Sequence, residues 1–220
     1  MRKIELVIFL LIVAGFVILN RNLGKTASVV QVEAVEKTIV LDPGHGGIDP
    51  GKVGINGVIE KEINLEIAAK VKTLLEEKGF AVAMTREQDE MLDGTKREDM
   101  KKRVEIINEI KPDLAVSIHQ NSYTDPEVSG AQTFYYSESE EGRLYAELIQ
   151  NQLLEFDKTN HRQAKANNNY YLLTRTEVPA VIVECGFLSN EKEAVKLSDH
   201  TYQEEISKVI VDGIESCFEN

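Results

Sequence analysis

Three short runs of this chain have no polar face. Ile39-Val40-Leu41, Leu114-Ala115-Val116-Ser117-Ile118 and Ala180-Val181-Ile182-Val183 are aliphatic at nearly every position, and all are too short to be helices. A strand with one wet face alternates apolar and polar residues. Runs such as these suit strands covered on both faces, as in a parallel sheet sandwiched between helices. The segments between them carry the period that such a fold needs. Ile63, Ile67, Val71 and Leu74 recur at helical spacing before Gly79, and residues 80–84 read as the next strand, giving β-α-β. Residues 96–111 place Met100, Val104, Ile107 and Ile110 on one helical face, and Pro112 ends that helix ahead of the second run. Residues 130–136 alternate as a strand, 140–154 form a helix with Leu144 and Leu148 inward, and 169–174 read as a strand. Residues 191–197 and 201–218 are closing helices, the latter turning Ile206, Ile210 and Ile214 to the core. The expectation is a single α/β domain, a mostly parallel twisted sheet of about six strands with helices on both faces.

The 220 residues give room for one such domain and a short extra segment. That segment is at the start: Arg2 and Lys3 lead into residues 4–19, apolar apart from Glu5. A basic start and an apolar run read as a signal peptide or membrane anchor over residues 1–20, with the folded part outside the membrane. Residues 21–36 are polar and without period, a linker, and residues 37–220 form the domain. With 37 acidic against 25 basic residues the chain carries a formal charge of −12, which repels nucleic-acid phosphates and excludes a general nucleic-acid role.

Each apolar run delivers an ionisable residue: His45 after Asp42-Pro43-Gly44, His119 directly after Ile118, and Glu184 directly after Val183. The glycines flanking His45 free the backbone to turn and leave the imidazole accessible. In a parallel sheet these positions lie along one edge, where ligands of open α/β folds bind. Two imidazoles and a carboxylate suit a catalytic zinc ion, with one coordination position left for water. The ligands must come from separate elements, because no HExxH helix is present. No CxxC spacing is present either, and Cys185 and Cys217 read as core or helix residues. Periodicity leaves Glu60, Glu62, Glu66 and Glu184 all open as metal-binding or acid–base carboxylates, with Glu62 and Glu66 also suiting a solvated helix face. His161 and His200 lie in polar surroundings and read as surface residues.

Four blocks then carry a family resemblance: Leu41-Asp42-Pro43-Gly44-His45-Gly46-Gly47, Glu60-Lys61-Glu62-Ile63-Asn64-Leu65, Ser117-Ile118-His119-Gln120-Asn121, and Val183-Glu184-Cys185-Gly186-Phe187-Leu188-Ser189-Asn190. In this order, and over nearly all of the chain from Thr38 onward, they resemble zinc-dependent N-acetylmuramoyl-L-alanine amidases of the amidase 3 type. The absence of an appended wall-binding repeat resembles the compact spore-cortex amidases of the CwlD type. The resemblance implies Zn2+ held by His45, Glu60 and His119, with Glu184 as the catalytic carboxylate. It implies hydrolysis of the amide between N-acetylmuramic acid and L-alanine, and in the cortex a step towards muramic-δ-lactam. Partners would be peptidoglycan glycan strands with their peptide stems, an accessory protein, and the membrane through the N-terminal segment. The location would be extracytoplasmic, in the space around the developing spore. Thr85-Arg86 resembles the family's strand-end pair and is assigned a structural role, whereas Cys185 departs from the small or aliphatic residue of many relatives. Asn64, Asn121 and Asn190 are candidates for orienting ligands or binding substrate, against helix capping and turn formation. Two rival readings are a zinc peptidase acting on stem peptides and a catalytically silent wall-binding domain.

Overall fold

The computed structural model describes residues 37–219, so the signal or anchor at 1–20 and the linker at 21–36 lie outside the described residues. The elements run β1 (Thr38–Pro43), α1 (Glu60–Glu77), β2 (Ala81–Met84), α2 (Lys96–Ile110), β3 (Leu114–Asn121) and β4 (Gln132–Tyr135). They continue with α3 (Glu140–Phe156), β5 (Lys165–Ala166), α4 (Tyr171–Arg175), β6 (Ala180–Phe187), α5 (Glu191–Leu197) and α6 (His200–Ser216). The sheet order is β2-β1-β3-β6-β4-β5. All neighbours are parallel except β4 and β6, which are antiparallel.

The continuous apolar runs have the two covered faces they require. Ile39, Leu41, Leu114, Val116, Ile118, Val181 and Val183 pack into one layer with α1, α3 and α6. Their alternates Val40, Ala115, Ala180 and Ile182 pack on the other side, with Ile107 of α2 and Leu172 and Leu173 of α4. Period-two alternation therefore feeds two cores from the same strands. Side-chain caps start several helices: Thr95 accepts from the Glu98 N–H, Ser139 from Gly142, and Asp199 from Tyr202.

Three expectations need correction. Residues 169–174 are not a strand, since α4 occupies most of them and a two-residue β5 at Lys165–Ala166 completes the sheet. The Asn167 side chain accepts from the N–H groups of Asn169 and Tyr170, a local turn that starts a helix and overrides the β propensity of the tyrosines. On α3, Leu144 is 51% exposed, and the inward face is Gly142, Ala146, Ile149 and Leu153. Close approach of α6 selects that face: a Cβ on Gly213 would lie 2.8 Å from the Ile149 Cα. Finally, β3 and β6 do not stop at His119 and Glu184 but continue to Asn121 and Phe187, which places both residues inside strands.

Candidate metal centre

His45 follows the end of β1, where the Gly44 N–H donates to the Ile118 carbonyl of β3. The chain then turns through a left-handed backbone, with φ 62° at His45 and φ 141° and 55° at Gly46 and Gly47. For a non-glycine residue this costs about 1–2 kcal/mol, so the surroundings must enforce it. Gly46 and Asp49 exchange backbone hydrogen bonds of 3.0 Å, and His45 Nδ1 donates to Asp49 Oδ2 at 2.9 Å. That fixes the ring with Nε2 directed towards Glu60 Oε1, 3.2 Å away.

Glu60 opens α1 on the same helical face as Asn64 and Ile67, which brings its carboxylate to the sheet edge. It accepts from the Lys52 N–H at 2.7 Å, the Gln120 N–H at 3.2 Å and Asn64 Nδ2 at 3.4 Å. His119 of β3 completes the group, its Nδ1 lying 3.0 Å from Glu60 Oε1. One ligand atom from each of His45, Glu60 and His119 lies within 4.8 Å of the others. Two imidazoles and a carboxylate at this spacing fit a borderline divalent cation. The cradle depends on missing side chains. A Cβ on Gly44 would lie 2.1 Å from His119 Cε1, and one on Gly51 would lie 2.5 Å from Glu60 Oε2 and 2.6 Å from His45 Cδ2.

Electrostatics separate the two buried carboxylates. Burial alone would raise the Glu60 carboxyl, but hydrogen bonds and charge from His119 and His45 outweigh it and hold it far below the usual carboxylate range. Burial would likewise lower His45, yet Glu60 and Asp49 together raise it to about 8. Glu184 is the opposite case. It pairs in register with His119, so the two side chains share one face of the sheet. It is 6% exposed, and its Oε2 has no hydrogen-bond partner. Burial, opposed by His119 and reinforced by Glu60, raises its carboxyl to about 7.

Sequence reasoning missed several residues here. Asp49, four positions after His45, orients the imidazole; its place in an Asp-Pro-Gly turn hid that role. Tyr170 lines a cavity of ≈ 80 Å³ together with His119 and Glu184, and burial followed by the Glu184 charge raises its hydroxyl to about 12. Asp42 is buried, accepting from Arg103, Ser117 and Thr85; burial would raise its carboxyl, and these partners reverse that and hold it at about 2. Of the three candidate asparagines, Asn64 bonds Glu60, Asn121 accepts from the Ser122 N–H at the end of β3, and Asn190 caps α5. Glu62, Glu66, His161 and His200 are all exposed, Cys185 is buried and Cys217 half-buried.

Residues 39–216 match the family described as N-acetylmuramoyl-L-alanine amidase. The chain is 40% identical over 186 residues to a germination-specific N-acetylmuramoyl-L-alanine amidase of Bacillus subtilis strain 168, covering 81% of this chain and 78% of that protein. It is similar in structure to the CwlD amidase of Clostridioides difficile, solved in complex with the GerS lipoprotein. There the TM-score is 0.80 at 42% identity, over 83% of this chain and 98% of the other. The catalytic domain of CwlV, an N-acetylmuramoyl-L-alanine amidase from Bacillus (Paenibacillus) polymyxa var. colistinus, gives 0.74 at 32%, over 82% and 97%.

Proposed function

This chain belongs to the N-acetylmuramoyl-L-alanine amidase family, and from that premise we propose how its residues hydrolyse the amide between N-acetylmuramic acid and L-alanine in peptidoglycan. His45, Glu60 and His119 would hold a zinc ion, with Glu60 kept ionised to supply the negative ligand. When bound, zinc supplies Lewis acidity to the scissile carbonyl and activates water near neutral pH. Glu184 would take a proton from the attacking water as its oxygen bonds to the carbonyl carbon, and would return that proton to the alanine nitrogen as the amide C–N bond breaks. The observation that carries this assignment is the unpartnered, nearly buried Glu184 oxygen beside His119, free to accept a proton where every oxygen of Glu60 is engaged. A carboxyl near 7 can both accept and give a proton at neutral pH, whereas one held ionised cannot give one.

The biological setting follows the relatives. Similarity to a germination-specific amidase and to a CwlD amidase supports action on spore cortex, where the family resemblance implies that stem removal is a step towards muramic-δ-lactam. The lipoprotein bound to the C. difficile relative supports an accessory protein here. Extracytoplasmic placement agrees with a cell-wall substrate, and residues 1–20 are proposed as the signal or anchor that achieves it.

The test is digestion of purified peptidoglycan by zinc-loaded protein, with fragments identified by mass spectrometry. Intact stem peptides beginning with L-alanine are expected. Glu184→Gln should keep its zinc and lose about 10²–10⁴-fold in kcat. Shortened stems would make the protein a peptidase, and full activity in Glu184→Gln would remove that residue from the chemistry.

A further inference from the structure

We propose that Arg103 and Arg86 are positioning residues of the metal site, two buried guanidinium groups that hold His45 in its left-handed conformation by capping consecutive backbone carbonyls. The inference rests on the reading of His45 as a metal ligand and goes beyond the ligand set. Three of the four residues from Gly44 to Gly47 are glycine, so the loop has little intrinsic preference for the conformation it adopts. Its carbonyls supply the restraint. Arg103 donates Nη1 to the Pro43 carbonyl at 2.7 Å and Nη2 to the His45 carbonyl at 2.6 Å. Arg86 donates Nε to the Pro43 carbonyl at 2.9 Å and Nη2 to the Gly44 carbonyl at 3.0 Å. Every carbonyl from Pro43 to His45 thus meets a guanidinium.

Both side chains are set before they reach the loop. Arg86 and Arg103 are 2% and 1% exposed. Arg103 Nε bonds Asp99 at 2.7 Å and Nη1 bonds Asp42 at 2.8 Å, which fixes the plane of the fork. Arg86 also reaches the carbonyls of Gln88 and Lys61, tying the loop to the start of α1, which carries Glu60. Asp42 extends the arrangement to the third ligand, because its other oxygen accepts from Ser117 Oγ at 2.6 Å, two residues before His119. The arginines therefore couple the backbone of His45 to the elements that carry Glu60 and His119.

A merely structural role would be an ordinary buried ion pair holding α2 against β1. Loss of that pair lowers stability but leaves the zinc affinity of folded protein unchanged. Arg103→Lys keeps the charge beside Asp42 and Asp99 but cannot reach them and the His45 carbonyl together. In the full-length protein, with folding checked by circular dichroism, zinc dissociation constants from competition with a chelator should weaken about 10–100-fold. Raising free zinc should restore much of the lost activity. Arg86→Lys should behave in the same way, and it carries the test if Arg103→Lys fails to fold. Leu153→Ala, in the core layer between α3 and the sheet and outside the arginine network, should lose stability with zinc affinity within about twofold of wild type. A folded arginine variant with wild-type zinc affinity overturns the proposal, as does an equal loss in Leu153→Ala. Wild-type protein that binds no zinc, or binds it equally well after His45→Ala, overturns the underlying reading of the site instead.

Discussion

On the proposed ligand set, zinc affinity should rise steeply with pH below about 8, because a proton on His45 must leave before the metal binds. His45 lies between two carboxylates, its Nδ1 2.9 Å from Asp49 and its Nε2 3.2 Å from Glu60. Both contacts are satisfied together only when both nitrogens carry a proton. Burial opposes that charge, but the carboxylates prevail and raise the imidazole to about 8. A group raised in this way is charged below about 8 and neutral above it, and only the neutral nitrogen coordinates. Because the imidazole is already half protonated at pH 8, apparent affinity falls about fivefold from pH 8 to pH 7 and about tenfold more, ~1.4 kcal/mol, from pH 7 to pH 6, roughly 50-fold in all. Competition against a chelator of known pH dependence at pH 6, 7 and 8 measures this. Asp49→Asn removes one carboxylate and should move the break to lower pH, while weakening the plateau affinity through lost orientation of the ring. Zinc affinity that is flat from pH 6 to 8 would refute the reasoning, since it would mean that no proton is displaced.

Gly44→Ala should abolish zinc binding by metal analysis, because the new Cβ would lie 2.1 Å from the His119 ring. Asp42→Asn should cost roughly 2 kcal/mol or more in urea unfolding at pH 7, matching a carboxyl held at about 2 against an ordinary 3.8. Because that carboxyl is depressed, its contribution is complete above pH 3.8 and fades as pH falls towards 2, so the variant and wild type should converge in acid. Gly213→Ala, which in an open helix would gain about 0.5–1 kcal/mol, should instead destabilise by about 1–3 kcal/mol. Its Cβ would meet the Ile149 backbone of α3, and thermal unfolding decides the sign.

The sheet was legible because burial on both faces leaves an unmistakable pattern at β1, β3 and β6, and the helices whose faces are purely aliphatic were legible with it. Ile206, Ile210 and Ile214 of α6 are fully buried as their spacing demands. The reading failed where size replaces hydropathy as the signal. On α3 the residues against the core are led by Gly142 and Ala146, which carry little hydrophobic weight, while Leu144 points to solvent. A pattern that counts leucines selects the wrong face when a neighbouring helix packs against small residues. The misread segment at 169–174 has a similar cause, since one Asn167 side chain, and no periodicity, decides that the chain turns into a helix.

The site divides along the same line. His45, His119 and Glu184 stood out because an ionisable residue directly after an apolar run breaks a pattern, and the structure brings all three to one edge. The carboxylates could be counted but not sorted, yet helical phase carried the information. Glu60 lies on the face of Asn64 and Ile67, whereas Glu62 and Glu66 lie on the face that is exposed. Asn64, a polar residue inside the apolar stripe of α1, marks that face as ending in a polar site. No such phase argument reaches Asp42, Arg86 or Arg103. A buried charge is stable only with partners, and theirs come from β1, β3, α1, α2 and the loops after β1 and β2, as far as 75 residues apart for Asp42 and Ser117. Sequence pattern exposes residues that face a core or break a run, whereas a polar network closed by long-range partners leaves no period. The residues that such a site gathers can therefore be read from the chain, while the bonds by which Asp42, Arg86 and Arg103 hold their backbone become visible only in the fold.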